Sequence, residues 1–155
     1  MGRGTIEGTR VLLALPQTLM NASGEAVAAL CKSNGIDPSQ VCVVFDEVAL
    51  PLGTLRLRAR GSAGGHRGMA SIIDSLGTTE IPRLRVGVRG ERYSRQRDLA
   101  DYVLEPFAKE ERKAFEEASE KAVEALRVWL STGIDAAMKR ANTKPSSPDP
   151  ASGPD

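Results

Sequence analysis

Two short stretches of the chain alternate an apolar residue with an arginine. Across Thr54–Arg60, Leu55, Leu57 and Ala59 alternate with Arg56, Arg58 and Arg60, and across Arg83–Val88, Leu84, Val86 and Val88 alternate with Arg83 and Arg85. A period of two marks a strand that buries one face and wets the other. Both stretches therefore predict strands with an apolar inner side and a basic outer side. Lys109–Leu130 has the other period: Phe115, Ala118, Ala122, Leu126 and Trp129 form one helical stripe, and Gly133 follows the end.

The remaining segments fill in an alternation of strands and helices. Val11–Leu15 is a short apolar run ended by Pro16 and predicts a buried strand, with barely ten residues before it. Ser23–Lys32 is rich in helix formers, with Asn21 or Ser23 suited to the N-cap and Asn34-Gly35 to the stop. Asp37-Pro38 marks a turn before Val41–Phe45, a second buried strand. Glycine-rich Gly61–Gly68 leads into a helix over Met69–Leu76 closed by Gly77, and Ile134–Ala141 predicts a last short helix. This order implies a single three-layer α/β/α domain over residues 1–142, with a mixed sheet and helices on both faces. Residues 143–155 contain four prolines and no large apolar side chain, which predicts a disordered tail.

The 155 residues allow one domain, and 41% hydrophobic content suits a packed core. The formal charge of +1 excludes a bulk polycation, but the sum conceals a segregation. From Thr54 to Arg97 the chain carries +7 and from Asp98 to Arg127 it carries −4, and all ten bases of the first segment are arginine. Guanidinium pairs with phosphate through a fork of hydrogen bonds that lysine cannot copy, so the first segment suits an RNA partner. Cys31 and Cys42 form no C-x-x-C and read as free thiols, and a single histidine, His66, assembles no familiar zinc site. The longest apolar runs fall far short of the roughly 20 residues that span a bilayer, so no membrane partner is expected.

Three motifs carry a more specific message. Pro16-Gln17-Thr18-Leu19-Met20-Asn21-Ala22-Ser23-Gly24 resembles the P-x-T-F-M-N-x-S-G motif of bacterial-type peptidyl-tRNA hydrolases. Asp46-Glu47-Val48-Ala49-Leu50-Pro51-Leu52-Gly53 is similar to their D-[DE]-L-D-L-P-x-G segment, and Gly64-Gly65-His66-Arg67-Gly68 to their G-G-H-N-G loop. Order and spacing agree, and the resemblance extends over roughly residues 6–142, through Pro82–Gly87 and Asp101-Tyr102-Val103-Leu104. It implies hydrolysis of the ester between peptide and tRNA, in one α/β domain with no metal or cofactor. A histidine would activate water, held in its basic tautomer by an aspartate. By resemblance Asp46 is that orienting carboxylate. Asn21 positions substrate, Leu19, His66 and Arg67 occupy further tRNA-contacting positions, and Arg56 and Arg58 face the tRNA. On residue chemistry alone, Asp46 also suits a turn cap and Asn21 an N-cap.

The resemblance also has gaps. The family's opening strand and helix carry G-x-x-N-P-G and T-R-H-N, the second of which holds the catalytic histidine, and neither motif has a counterpart here. Leu19 replaces the motif phenylalanine, Arg67 an asparagine, Ala49 the second aspartate and Arg89 a usual glycine. Two explanations stand side by side: Met1 is an internal start of a longer protein, or the chain is a non-hydrolytic relative that keeps the RNA surface. The chloroplast group II intron splicing factors resemble the second case. Either way, a chain without the family's general base is expected to be a poor hydrolase, and one without its first strand to expose an edge or an apolar patch. A complete fold is expected to be monomeric, in the cytoplasm or an organelle.

Overall fold

The computed structural model describes residues 1–90 and 108–142. The expected motif Asp101–Leu104, the arginines 92, 95 and 97, and the tail 143–155 lie outside them.

The chain opens with strands β1 (Gly2–Ile6) and β2 (Thr9–Leu13), β3 (Val43–Pro51) follows, and the apolar–arginine stretches form β4 (Leu55–Arg58) and β5 (Arg83–Arg89). β5 is central in a three-stranded sheet of order β3-β5-β4, parallel to β3 (Val43–Pro51) and antiparallel to β4. The sheet is mixed, as the segment order implied. On one face Leu55, Leu57, Leu84 and Val86 pack against Ala118, Ala122, Ala125, Ala137 and Ala141. Those alanines belong to α3 (Lys109–Thr132) and α4 (Ile134–Ala141). Small residues along this stripe let the helix backbone lie close to the branched side chains of the sheet. On the other face Met69, Ile72 and Ile81 pack with Val41, Val43, Phe45 and Val27 beneath α1 (Ser23–Asn34) and α2 (Arg67–Leu76). Gly35 and Gly77 end these two helices in the left-handed conformation, at φ 63° and 70°.

The structure corrects four expectations. Val11–Leu15 is not a buried strand. β1 (Gly2–Ile6) and β2 (Thr9–Leu13) make a separate two-stranded antiparallel ribbon, turned at Glu7-Gly8 with φ of 53° and 74°. Positive φ at both central residues is the turn that matches strand twist, and it uses the residues ahead of Val11 that sequence reading left without a role. Leu15 lies outside the ribbon and is 84% exposed. Second, strand Val41–Phe45 is displaced to Val43–Pro51, at one edge of the described sheet, where Val44 is 51% exposed. Third, neither Asn21 nor Ser23 caps α1; Ala22 occupies the N-cap, and Ser23 Oγ donates instead to the Met20 carbonyl at 2.8 Å. Fourth, Arg83 is not on a wet face but is buried, for a reason developed below.

One side chain outside any strand completes the sheet. Asn142, just past α4, accepts from Leu57 N–H at 2.8 Å and donates to Leu57 C=O at 3.0 Å. Its carboxamide reproduces a strand residue's hydrogen bonding along the outer edge of β4 and ties α4 to the sheet.

Both cysteines are free. Burial raises the Cys31 thiol, with Asp37 adding to it. Cys42, packed against the alanine-rich face, is pushed by burial from 9.0 up to about 12, against smaller opposing effects of Arg83 and a backbone hydrogen bond. Below pH 9 both folded and unfolded states keep this proton. Between about 9 and about 12 the unfolded thiol ionises while the folded one does not, so stability falls by up to about 1.4 kcal/mol per pH unit. Urea unfolding across that window is expected to show the decline, and Cys42→Ala to flatten it.

Candidate functional site

The site is assembled where two motifs meet. A 3-10 turn over Met20–Ala22 precedes α1, and the glycine-rich loop precedes α2. They meet because α1 and α2 approach at Gly24: a Cβ there would overlap the Ser71 carbonyl oxygen and Ser75 Oγ, and Gly24 N–H donates to Ser71 Oγ at 2.9 Å. The terminal S-G of the first motif is thus structural. It brings Met20 against Gly68, where an added Cβ would stand 2.6 Å from the Met20 sulfur and 3.0 Å from His66 Cε1. Leu19 and Asn21 flank Met20 and are exposed, Leu19 by 79%.

The loop is built to present His66. Gly64 and Gly65 adopt φ of 59° and 84°, closing a turn in which His66 N–H donates to Ala63 C=O at 3.1 Å. His66 is the N-cap of α2. Its Nδ1 accepts from Met69 N–H at 3.0 Å, and its ring rests on Phe45, centroids 4.3 Å apart and tilted by 36°. A nitrogen that accepts carries no proton, so neutral His66 holds its hydrogen on Nε2, which is a donor. That arrangement suits binding a ligand oxygen and does not suit a general base. Arg67, the first residue of α2, is exposed beside it.

The sheet register connects this site to the arginines. Phe45 pairs with Arg85, and Arg85 with Arg56, so the three form one row across the three strands on the face that carries His66. Arg58 pairs with Arg83 in the next row, but at the sheet edge its Nη1 donates to Leu57 C=O at 3.3 Å and it lines a cleft with Asp135, Met138, Lys139 and Asn142 of the C-terminal helix end. With strands about 4.8 Å apart, the row spans roughly 10 Å from the histidine's support to the outer strand. Among the described residues, no carboxylate lies within ion-pair distance of Arg56, Arg58 or Arg85; Arg60 has Glu80 at 3.7 Å. Like charges directly opposite each other destabilise a sheet unless an anion separates them.

Asp46 is not brought to this group. It is exposed and pairs with Val86, and alternation from Phe45 turns it toward the opposite face of the sheet. Among the described residues no hydrogen bond joins it to His66. Leu19, Asn21, His66 and Arg67 therefore gather at one place. Arg56 extends from it along the Phe45–Arg85 row, while Arg58 lies by the end of α4 and Asp46 stands apart. Sequence reasoning passed over Phe45 and Met20, although side chains alternate along any strand, which sets the Phe45 ring on the side opposite Asp46. The described residues contain no group of three metal-ligating side chains, and no helix long and apolar enough to cross a membrane.

The α/β domain sets a row of arginines beside a glycine-rich histidine loop, and comparison with known proteins assigns the chain to a family. Residues 1–149 match the family model for peptidyl-tRNA hydrolase, and the chain belongs to that family. It is 49% identical over 143 residues to the peptidyl-tRNA hydrolase of Chloroflexus aggregans, covering 92% of this chain and 75% of that one. Against the Roseiflexus castenholzii peptidyl-tRNA hydrolase it is 47% identical over 150 residues, 96% and 69% of the respective lengths. The crystal structure of peptidyl-tRNA hydrolase from Acinetobacter baumannii superposes with a TM-score of 0.81 at 33% identity, over 92% of this chain and 71% of that chain.

Two substitutions test the assembly. Gly24→Ala is expected to cost about 1–3 kcal/mol in urea unfolding, because α1 and α2 must separate to admit the methyl group. His66→Ala is expected to lose about 1 kcal/mol with the α2 cap, whereas His66→Asn, itself a good cap, keeps most of it.

Proposed function

We propose that the chain binds peptidyl-tRNA, its phosphates on Arg56, Arg58 and Arg85 and its acceptor end against Leu19, Asn21, His66 and Arg67. The family's reaction is hydrolysis of the ester between peptide and tRNA, which returns stalled peptidyl-tRNA to use. The observation that carries the reading is the row Phe45–Arg85–Arg56, which sets the histidine loop and carboxylate-free guanidiniums on one face. Family membership supplies the substrate class.

Within that reaction the described residues bind and orient. Arginine forks hold phosphate oxygens, the Asn21 amide offers a donor and an acceptor, and His66 offers Nε2–H. None of them is a base poised over water. His66 is tied through Nδ1, and the histidine that the family resemblance assigns to that task belongs to a motif with no counterpart in this sequence. A general base contributes typically 10²–10⁴-fold, so the 155-residue chain by itself turns over slowly.

Filter or fluorescence titration with tRNA at increasing salt is expected to show affinity falling steeply. Arg56→Gln with Arg85→Gln should reduce the log–log slope by roughly 2. A slope indifferent to salt would overturn the arginine reading. In parallel, deacylation of N-acetyl-aminoacyl-tRNA by this chain is expected at background. Turnover abolished by His66→Ala would instead make His66 the base.

A further inference from the structure

We infer that Arg83 is a positioning residue that sets the His66 loop from inside the fold. The inference rests on the reading of that loop as part of the substrate site. Arg83 is 4% exposed, and its guanidinium has no carboxylate partner among the described residues. It is satisfied by backbone carbonyls alone. Nε donates to Ile81 at 2.9 Å, Nη1 to Ser62 at 2.7 Å and Nη2 to Thr79 at 3.2 Å. Burial, and after it the neighbouring Arg85, lowers its pKa, yet a guanidinium remains charged at working pH.

The three acceptors lie at both ends of one segment. Ser62 is where the chain approaches α2, and Thr79 and Ile81 are where it leaves. Arg83 therefore closes the segment that contains α2 on a single cation, and Gly61 N–H adds a direct bond across the same gap to Thr79 C=O at 3.2 Å. From the grip at Ser62, only Ala63, Gly64 and Gly65 lead to His66. Ala63 is half-buried against the core, and its carbonyl accepts from His66 N–H. The position of Ser62 O is thereby passed to the imidazole through a short tight turn. A planar fork reaches three divergent carbonyls at once; a lysine ammonium, a compact point charge on a flexible stem, does not hold the same geometry.

Arg83 and the outward arginines thus arise from one alternating pattern and divide the work. Arg85 and Arg56 meet the ligand, and Arg83 holds the loop beside them.

The test uses Arg83→Lys, which keeps the charge and the aliphatic stem. His66 is the only histidine, so its ring gives one unambiguous set of NMR signals. In a variant whose unfolding midpoint shows it folded, the His66 Cε1–H signal is expected to shift or broaden, and tRNA affinity to fall by at least about fivefold. His66 signals at their wild-type positions together with unchanged affinity would overturn the inference. If the wild-type chain binds no tRNA, the functional reading fails, and the His66 signals alone decide the role of Arg83. Should the lysine variant not fold, the wild-type protein is read directly. Cross-relaxation between the Arg83 guanidinium protons and the protons of Ser62 and Ala63 is expected, and its absence would refute the clamp.

Discussion

The hydrogen-bonded ladder of β5 with its two neighbours is the constraint on which the rest depends. β5 is parallel to one neighbour and antiparallel to the other, and Arg83, Leu84, Arg85 and Val86 each have a partner on both sides. Its even-numbered positions supply the floor for α3 and α4, and its odd-numbered arginines stand on the face of α1 and α2. A slip of one residue in either ladder would exchange the two sets, burying guanidiniums under alanine-rich helices. The placement of His66 over Phe45 and the row of arginines both follow from this one register. Close approach of Gly87 reinforces it. A Cβ there would overlap the Pro51 carbonyl oxygen, and Gly87 N–H donates to Thr54 C=O at 2.8 Å.

The elements with strong periodicity were legible in the sequence. β4, β5 and α3 lie where the apolar spacing put them, because half-buried strands and amphipathic helices write their burial into residue order. The N-terminal ribbon was not legible. Val11, Leu12 and Leu13 look like a buried strand, but the turn at Glu7-Gly8 pairs them with Gly2–Ile6. Pairing with a glycine-rich partner is a tertiary choice that leaves little trace in the apolar pattern. Arg83 misled for a related reason. Alternation states which face a side chain takes, not whether another segment covers that face.

At the site, the motifs predicted the composition better than the geometry. Leu19, Asn21, His66 and Arg67 converge because Gly24 lets α1 lie against α2, a contact that a single glycine in a helical stretch does not announce. Asp46 stood in a matching motif, yet its neighbour Phe45 takes the face where His66 lies. Chemistry at a motif residue follows from which way the pleat turns it, and one position of offset reverses the answer.

Asn142 gives the chain a different kind of vulnerability. A carboxamide can serve Leu57 only because it is a donor and an acceptor at once. The same group is the one that spontaneous deamidation turns into a carboxylate. An aspartate at that place would still accept from Leu57 N–H, but would set a negative oxygen against Leu57 C=O. The outer strand that carries Arg56 and Arg58 would then lose its seam through a change of one atom, with no residue of the core disturbed. Deamidation at this one position would be felt at the edge of the sheet.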